Sequence, residues 1–325
     1  MRIVRRQLLR LAAGVAALPV MSRVASALDY PSQPVRLIVP YAPGGTTDTV
    51  ARQIGPWLSK RLAQAFVIES RPGAGTNVGT DAVAHAAPDG NTLLLFDPSA
   101  AINATLYDKL NFNFIRDIAP VVCIFSTPLV IVVNPSLAAK SLPEFIAHAK
   151  ANPFKINMAS AGIGSSSQLA GELFKEMAGI DMTHIPHRGG GPAIINLLGG
   201  QVDVFFSPMA IAVEHIRAGK LRALATTGTA RSDTLPEIPT VNEFVPGFET
   251  SYWIGLGAPK NTPVEVIGKL NTEINAALAD PGLKSRFADL GGSVVGGSAD
   301  DFAKLVSEET DKWGRVVRAA HIKAE

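Results

Sequence analysis

Strand-like and helix-like segments alternate along nearly the whole of this chain, and that alternation narrows its possible folds more than any single motif does. Short apolar runs of strand length stand at 35–39, 66–69, 92–96, 124–133, 156–160, 182–185, 202–206, 221–226 and 252–257. Between them apolar residues recur at helical spacing, as Val50, Ile54, Trp57 and Leu58 do. Strands alternating with helices predict an α/β fold whose sheets are mostly parallel and covered by helices on both faces. In such folds ligands sit beyond the carboxyl ends of the strands. The C-terminal part is helical, over 264–279 and, after a Ser298 cap, over 300–319. There is no internal repeat and no low-complexity tract.

Polar, glycine-rich clusters stand at four of the strand ends. The first is Tyr41-Ala42-Pro43-Gly44-Gly45-Thr46-Thr47-Asp48. Its two glycines let the backbone turn and approach a bound group, and Thr46 or Thr47 is expected to cap the following helix, leaving its first N–H groups pointing outward. Such a helix start attracts anions, carboxylates included, although an ordinary βα loop carries the same residue types. The second cluster, Arg71-Pro72-Gly73-Ala74-Gly75-Thr76-Asn77-Val78-Gly79, also leads into a helix, with Asn77 as a polar helix-start residue facing a cleft. Its glycine spacing, with Asp97 about twenty residues on, imitates a dinucleotide-binding fingerprint. Ser70, Arg71 and Pro72 intervene where that fingerprint wants an immediate turn, so no such cofactor is expected.

The third cluster is Ser160-Ala161-Gly162-Ile163-Gly164-Ser165-Ser166-Ser167. Leu169, Leu173, Phe174 and Met177 supply the buried face of the next helix, which leaves the serine hydroxyls and the free N–H groups at the mouth of the turn as a second anion cradle. It has neither the lysine of a P-loop nor the spacing of a nucleophile elbow. The fourth, His187-Arg188-Gly189-Gly190-Gly191-Pro192, ends another strand, with Pro192 expected as the first residue of a helix. Arg188 can pair with a carboxylate or stand solvated at the loop. His184 and His187, three apart on a strand, point to opposite faces with no third ligand nearby in sequence, so no metal is expected. Asp203 lies in the apolar run at 202–206 and needs partners there, either backbone N–H groups that hold the Gly199-Gly200 loop or a ligand's donor group.

The chain opens like an export signal. Arg5-Arg6-Gln7-Leu8-Leu9-Arg10 is a twin-arginine pattern, an apolar region runs from Leu11 to Val20, and Ala25-Ser26-Ala27 is an A-x-A site with cleavage expected after Ala27. The arginines fit either twin-arginine transport or a basic start to a general secretory signal. The apolar region is shorter than the about 20 residues that span a bilayer and is broken by Gly14 and Pro19. Taking the five arginines of residues 1–27 from the 30 basic side chains leaves 25 against 28 acidic ones, a net charge of about −3. The remainder has no basic cluster of the kind that binds nucleic acid or an anionic membrane. The single cysteine, Cys123, reads as a buried strand residue and excludes an intramolecular disulfide.

Taken in order, the clusters carry a resemblance. The first cluster, Arg71-Pro72-Gly73-Ala74-Gly75, Ala87-Pro88-Asp89-Gly90-Asn91-Thr92-Leu93-Leu94, Ser160-Ala161-Gly162-Ile163-Gly164-Ser165, Ile185-Pro186-His187-Arg188-Gly189, Gly199-Gly200-Gln201-Val202-Asp203 and Leu235-Pro236-Glu237-Ile238-Pro239-Thr240-Val241 are similar to the solute receptors of tripartite tricarboxylate transporters, the Bug or TctC type. The similarity runs from about Tyr30 to the C-terminus. It implies a two-lobed, class II periplasmic binding protein of Venus-flytrap form whose first lobe is discontinuous. Residues 28–127 and 251–325 would form lobe 1 and residues 128–250 lobe 2, joined by two crossing strands. It also implies a small carboxylate ligand (a di- or tricarboxylate, an acidic amino acid, nicotinate or an aromatic acid) closed between the lobes. Delivery would be to membrane permease subunits, and the receptor would be a monomer without cofactor, metal or catalysis. Carried over by position, the pocket would comprise Tyr41, Gly44, Gly45, Thr46, Asp48, Asn77, Ser160, Gly164, Ser165, Ser166, His187, Arg188, Gly189 and Asp203.

Three positions depart from the family pattern. His187 stands where the family usually has tyrosine, Gln168 where it often has histidine, and Ser207-Pro208 where an acid or amide is more usual. A histidine charge at the first would favour an anion and make affinity depend on pH near neutrality. Two other readings share these residues. An exported hydrolase could use a serine of Ser165-Ser166-Ser167 with His187, though no orienting acid is fixed in sequence. A sensor could present the same pocket to the outer domain of a membrane kinase.

Overall fold

The computed structural model describes residues 30–107, 109–319 and 322–324, so the export signal read at residues 1–27 lies outside the described residues. Three βα units open the fold. Strand β1 (Val35–Val39) runs parallel to β2 (Phe66–Ser70) on one side and β3 (Thr92–Phe96) on the other. Helices α1 (Thr46–Leu62) and α2 (Asn77–Ala84) make the crossovers, and α3 (Pro98–Leu106) follows β3. Leu37 and Val39 of β1 point into the same buried cluster as Val50, Ile54 and Leu58 of α1, the match between strand and helix periods that the alternation requires. A short helix, α4 (Phe114–Asp117), then leads into the longest strand.

That strand, β4 (Ile118–Val133), has 16 residues, which at about 3.3 Å per residue is on the order of 50 Å of extended chain. It belongs to two sheets in succession. From Ile118 to Pro128 it pairs antiparallel with β9 (Ser251–Pro259), which continues through β3 into the first sheet. From Leu129 to Val133 it pairs with β7 (Val204–Pro208) on one side, and from Val130 with β8 (Arg222–Thr226) on the other. The strand begins six residues before the expected 124 and takes in Pro120, which sits beside a register shift, a place where a strand tolerates proline.

The second sheet repeats the pattern of the first. Strand β5 (Asn157–Ser160) lies parallel to β6 (Thr183–Pro186) and to β7. Helices α5 (Leu142–Ala151), α6 (Ser166–Ala178), α7 (Gly190–Leu198) and α8 (Met209–Arg217) cover it. The expectation of mostly parallel sheets needs correction: β1, β2 and β3, and again β5, β6 and β7, are parallel, but every pairing of β4 is antiparallel, as is β3 with β9. The cause is the excursion itself. A chain that leaves one sheet along β4 and returns along β9 must run the two strands in opposite directions. The register expected at 202–206 also shifts, since β7 starts at Val204.

After the return, α9 (Val264–Ala279), α10 (Pro281–Asp289), β10 (Ser293–Gly296) and α11 (Ala299–Ala319) close the first sheet, with β10 pairing antiparallel to β4. Ser298 caps α11: its hydroxyl accepts from Asp301 N at 3.1 Å. Ile102 and Leu106 of α3 join Trp313 and Val317 of α11 in a small apolar cluster that takes in Leu169 of α6 from across the cleft. Cys123 is buried in β4, which pushes its thiol up to about 12. Among the described residues no helix is long and apolar enough to cross a membrane.

Candidate functional site

The carboxyl ends of β1 and β3 face those of β5 and β6, and the loops beyond them touch. Ala42 N donates to Arg188 O at 3.0 Å, tying the first cluster to the fourth. The approach is so close that a Cβ on Gly191 would lie 2.7 Å from Pro43 O and 3.0 Å from the Gly44 carbonyl carbon. Only glycine lets the backbones meet there. Beside this contact, Asn103 of α3 donates to Gly75 O and, at 3.2 Å, to Asn77 Oδ1. A Cβ on Gly75 would strike the Ile163 carbonyl of the third cluster. Where the first, third and fourth clusters meet lies a small cavity of about 20 Å³, room for about one water in the closed form.

Three helix starts open onto this cavity: Thr46 and Thr47 of α1, Ser166 and Ser167 of α6, and Gly190 of α7. The N–H groups of a first helical turn have no partner within the helix and carry its positive end. The side chains add to this. Thr46 Oγ1 and Ser166 Oγ are both buried without a hydrogen-bond partner. Ser165 caps α6, its hydroxyl accepting from Gln168 N at 3.3 Å and donating to Gly162 O at 2.6 Å. Gln168 Oε1 in turn accepts from Gly164 N at 2.7 Å, which fixes the turn from inside the helix. Among the described residues no lysine, arginine or histidine lines the cavity. What the site offers an anion is therefore oriented N–H groups and hydroxyls rather than a counter-charge.

A fourth helix start is already occupied. Asp97 caps α3, Oδ1 accepting from Ser99 N at 2.9 Å and from the Tyr41 hydroxyl at 3.0 Å. The Tyr252 hydroxyl donates to Asp97 Oδ2 at 2.7 Å and lies 3.1 Å from Thr47 Oγ1, so the cap and the start of α1 share one chain of hydrogen bonds. Burial raises the Asp97 carboxyl, and the hydrogen bonds from Tyr252, Ser99 and Tyr41 oppose that shift without cancelling it. Burial, followed by the charge of Asp97, pushes both phenols well above their ordinary range.

Of the residues singled out in sequence, the structure brings Tyr41, Gly45, Thr46, Ser165 and Ser166 to the cavity wall. Gly44 and Asp48 stand just behind it: Asp48 Oδ2 accepts from Gly44 N at 3.0 Å and from Arg52 Nε at 2.9 Å. The capping expectation for Thr46 or Thr47 is overturned. Gly45 is the N-cap and no side chain caps it, because Asp48 reaches back from the first turn to hold the loop. Asn77 begins α2 and is buried against Asn103, while Gly164 and Gly189 shape their loops. Pro192 is the third residue of α7, after two glycines, where its missing N–H is still harmless.

Three expectations move away from the cavity. Arg188 is exposed and engages the first loop only through its carbonyl. His187 does not line the cavity, and its Nδ1 is buried without a partner. Asp203 precedes β7, and its carboxylate accepts from the N–H of Asn157, the first residue of β5, at 2.7 Å. This is the amino end of the strands, opposite the cleft, so a backbone donor satisfies the acid. The serine–histidine pair that forms is also different from the one considered. His184 Nε2 is 2.6 Å from Ser160 Oγ, with Gln168 rather than an acid on its other nitrogen. Ser160 is fully buried and does not line the cavity. Burial, then the charges of Lys175 and His187, push the His184 imidazole down to about 4. The wall also includes Thr47, Asp97 and Pro208, which the sequence brought up in other roles, and Ser99 and Tyr252, which it passed over. Asp97-Pro98-Ser99 is itself a helix-start pattern, an N-cap acid followed by proline, and could have been found by that signal.

Known proteins match the chain along most of its length. A family model described as the tripartite tricarboxylate transporter family receptor, TctC, matches residues 50–322. Protein BugT of Bordetella pertussis is 40% identical over 309 residues, which is 94% of this chain and 93% of that protein. Two structures from Rhodopseudomonas palustris superpose closely. Rpa4515 with adipate has a TM-score of 0.88 at 33% identity, covering 90% of this chain and 99% of that one. MatC with bound malate has a TM-score of 0.85 at 35% identity, covering 89% and 100%.

Proposed function

The chain belongs to the tripartite tricarboxylate transporter receptor family, and from that premise we propose that it captures a small carboxylate between two lobes and delivers it to the permease subunits of such a transporter. The observation that carries this reading is the convergence of three helix starts, with the unpartnered hydroxyls of Thr46 and Ser166, on one cavity at the contact between the sheets. A carboxylate docked on α1 alone would be half-satisfied. Closure adds the N–H groups and hydroxyls of α6 and α7, and a ligand shifts an opening equilibrium only by what it gains in the closed form. The lobes in this reading are residues 28–127 with 251–325, and residues 128–250. The change of partner along β4 between Pro128 and Leu129 supports that division. The protein acts outside the cytoplasm after cleavage near Ala27, as a monomer, and catalyses nothing.

The relatives solved with adipate and malate support a carboxylate as the ligand class. The test is a thermal-shift screen of residues 28–325 against aliphatic and aromatic carboxylates, acidic amino acids and NADH. A ligand at about a hundred times its dissociation constant stabilises by roughly 2.7 kcal/mol, which raises the melting temperature by several degrees. A shift with one carboxylate class is expected. No shift with any carboxylate, or a shift with NADH alone, would overturn the reading.

A further inference from the structure

The cavity has two electrical ends. One is formed by the starts of α1, α6 and α7, whose first N–H groups and hydroxyls face it, with Asp48 of the first turn of α1 just behind the wall. The other is Asp97, which is 2% exposed and lines the same cavity. Its neighbours all supply donors: Ser99 N and the Tyr41 hydroxyl to Oδ1, and the Tyr252 hydroxyl to Oδ2, with Thr47 able to donate to Tyr252 in turn. Those donors favour the carboxylate form and work against the burial that raises the Asp97 carboxyl. Capping α3 needs only Oδ1, whereas Oδ2 accepts a single donor, the Tyr252 hydroxyl of the return strand, where a carboxylate oxygen accepts two.

Among the described residues Asp97 has no ion pair, and the wall around it holds no cation. A buried charge without a counter-charge is costly. A ligand with a second carboxylate would set like charges against each other in a desolvated space. A ligand with an ammonium group would complete the fourth acceptor site and neutralise the acid. Resting on the receptor reading above, we propose that Asp97 determines specificity: it receives the cationic amino group of a zwitterionic ligand whose carboxylate lies on the helix starts. The ligand class is thereby an amino-carboxylate, unlike the dianions named with the two Rhodopseudomonas structures.

The test compares α- and ω-amino acids with dicarboxylates of matching chain length, such as β-alanine with succinate and γ-aminobutyrate with glutarate, by titration calorimetry. In the wild-type protein the best ligand is an amino-carboxylate, at least about tenfold tighter than its dicarboxylate counterpart. Asp97→Asn keeps the shape and the Oδ1 acceptor for Ser99 but removes the charge. It is expected to weaken the amino-carboxylate by tenfold or more and to strengthen the dicarboxylate. If the dicarboxylates, or carboxylates lacking any amine, bind the wild-type protein as tightly or more tightly, the role of Asp97 is overturned and the receptor reading stands. If no carboxylate of either kind binds, both fall. Should Asp97→Asn fail to fold, the wild-type ranking alone decides.

Discussion

Single residues carried more than their spacing in sequence revealed. His184 invites attention as half of a metal pair with His187, yet its neighbours are Ser160 on the adjacent strand and Gln168 on α6, contacts that only the pairing of β5 with β6 creates. The same holds for Asp97, whose partners Tyr41 and Tyr252 stand 56 and 155 residues away. Residue type and a local cap were legible; the company each side chain keeps was not. The His184 environment makes an acid-sensitive contribution to stability. Its imidazole goes from an ordinary value of 6.5 to about 4 in the folded protein, so between those values the unfolded chain binds a proton that the folded chain does not. The stabilisation is full above the higher value and is lost as pH falls to the lower. Melting curves of the wild-type protein are therefore expected to drop more steeply over that window than those of His184→Gln. Parallel drops would remove the role assigned to the imidazole.

At the scale of the element, the strand–loop–helix units were legible because apolar periodicity and glycine-rich loops alternate so regularly. The mechanism of each helix start was less so. At α1 threonines in capping position leave the cap to Gly45 because Asp48 supplies the hold from within the first turn. At α6 the neighbouring serines divide the work: Ser165 is bonded to Gln168 N and Gly162 O, whereas the buried hydroxyl of Ser166 has no partner. Ser165→Ala should accordingly cost about 1 kcal/mol of stability. Ser166→Ala should leave the melting temperature unchanged or raise it, since it removes a hydroxyl whose bond is unmade, while weakening ligand binding by about 1 kcal/mol, roughly fivefold. Thermal denaturation and calorimetry on the two variants check the division. Equal effects on stability would contradict it.

For the whole molecule, alternation foretold an α/β fold, and the family likeness supplied what alternation cannot, a chain that leaves one sheet and returns to it. The antiparallel centre was missed on periodicity alone, since a buried apolar run such as Leu129–Val133 of β4 reads the same whichever way its neighbours point. Closure of the two halves depends on glycines. At Gly191, alanine suits the helix better, but its Cβ would press on Pro43 O and the Gly44 carbonyl carbon. Gly191→Ala is expected to hold the halves apart, enlarging the radius of gyration in solution scattering and costing on the order of 1–3 kcal/mol of ligand binding. An unchanged radius and affinity would show that the loops need not touch. The shared strand also sets an order of events in time. The partners of β4 in the first sheet are β9 and β10, which end at Pro259 and Gly296. During synthesis the segment at 118–128 therefore waits through more than a hundred further residues for its neighbours. Until they arrive its apolar edge is open, so the first sheet assembles late, from a nearly complete chain, and the nascent polypeptide must be kept from associating with itself meanwhile.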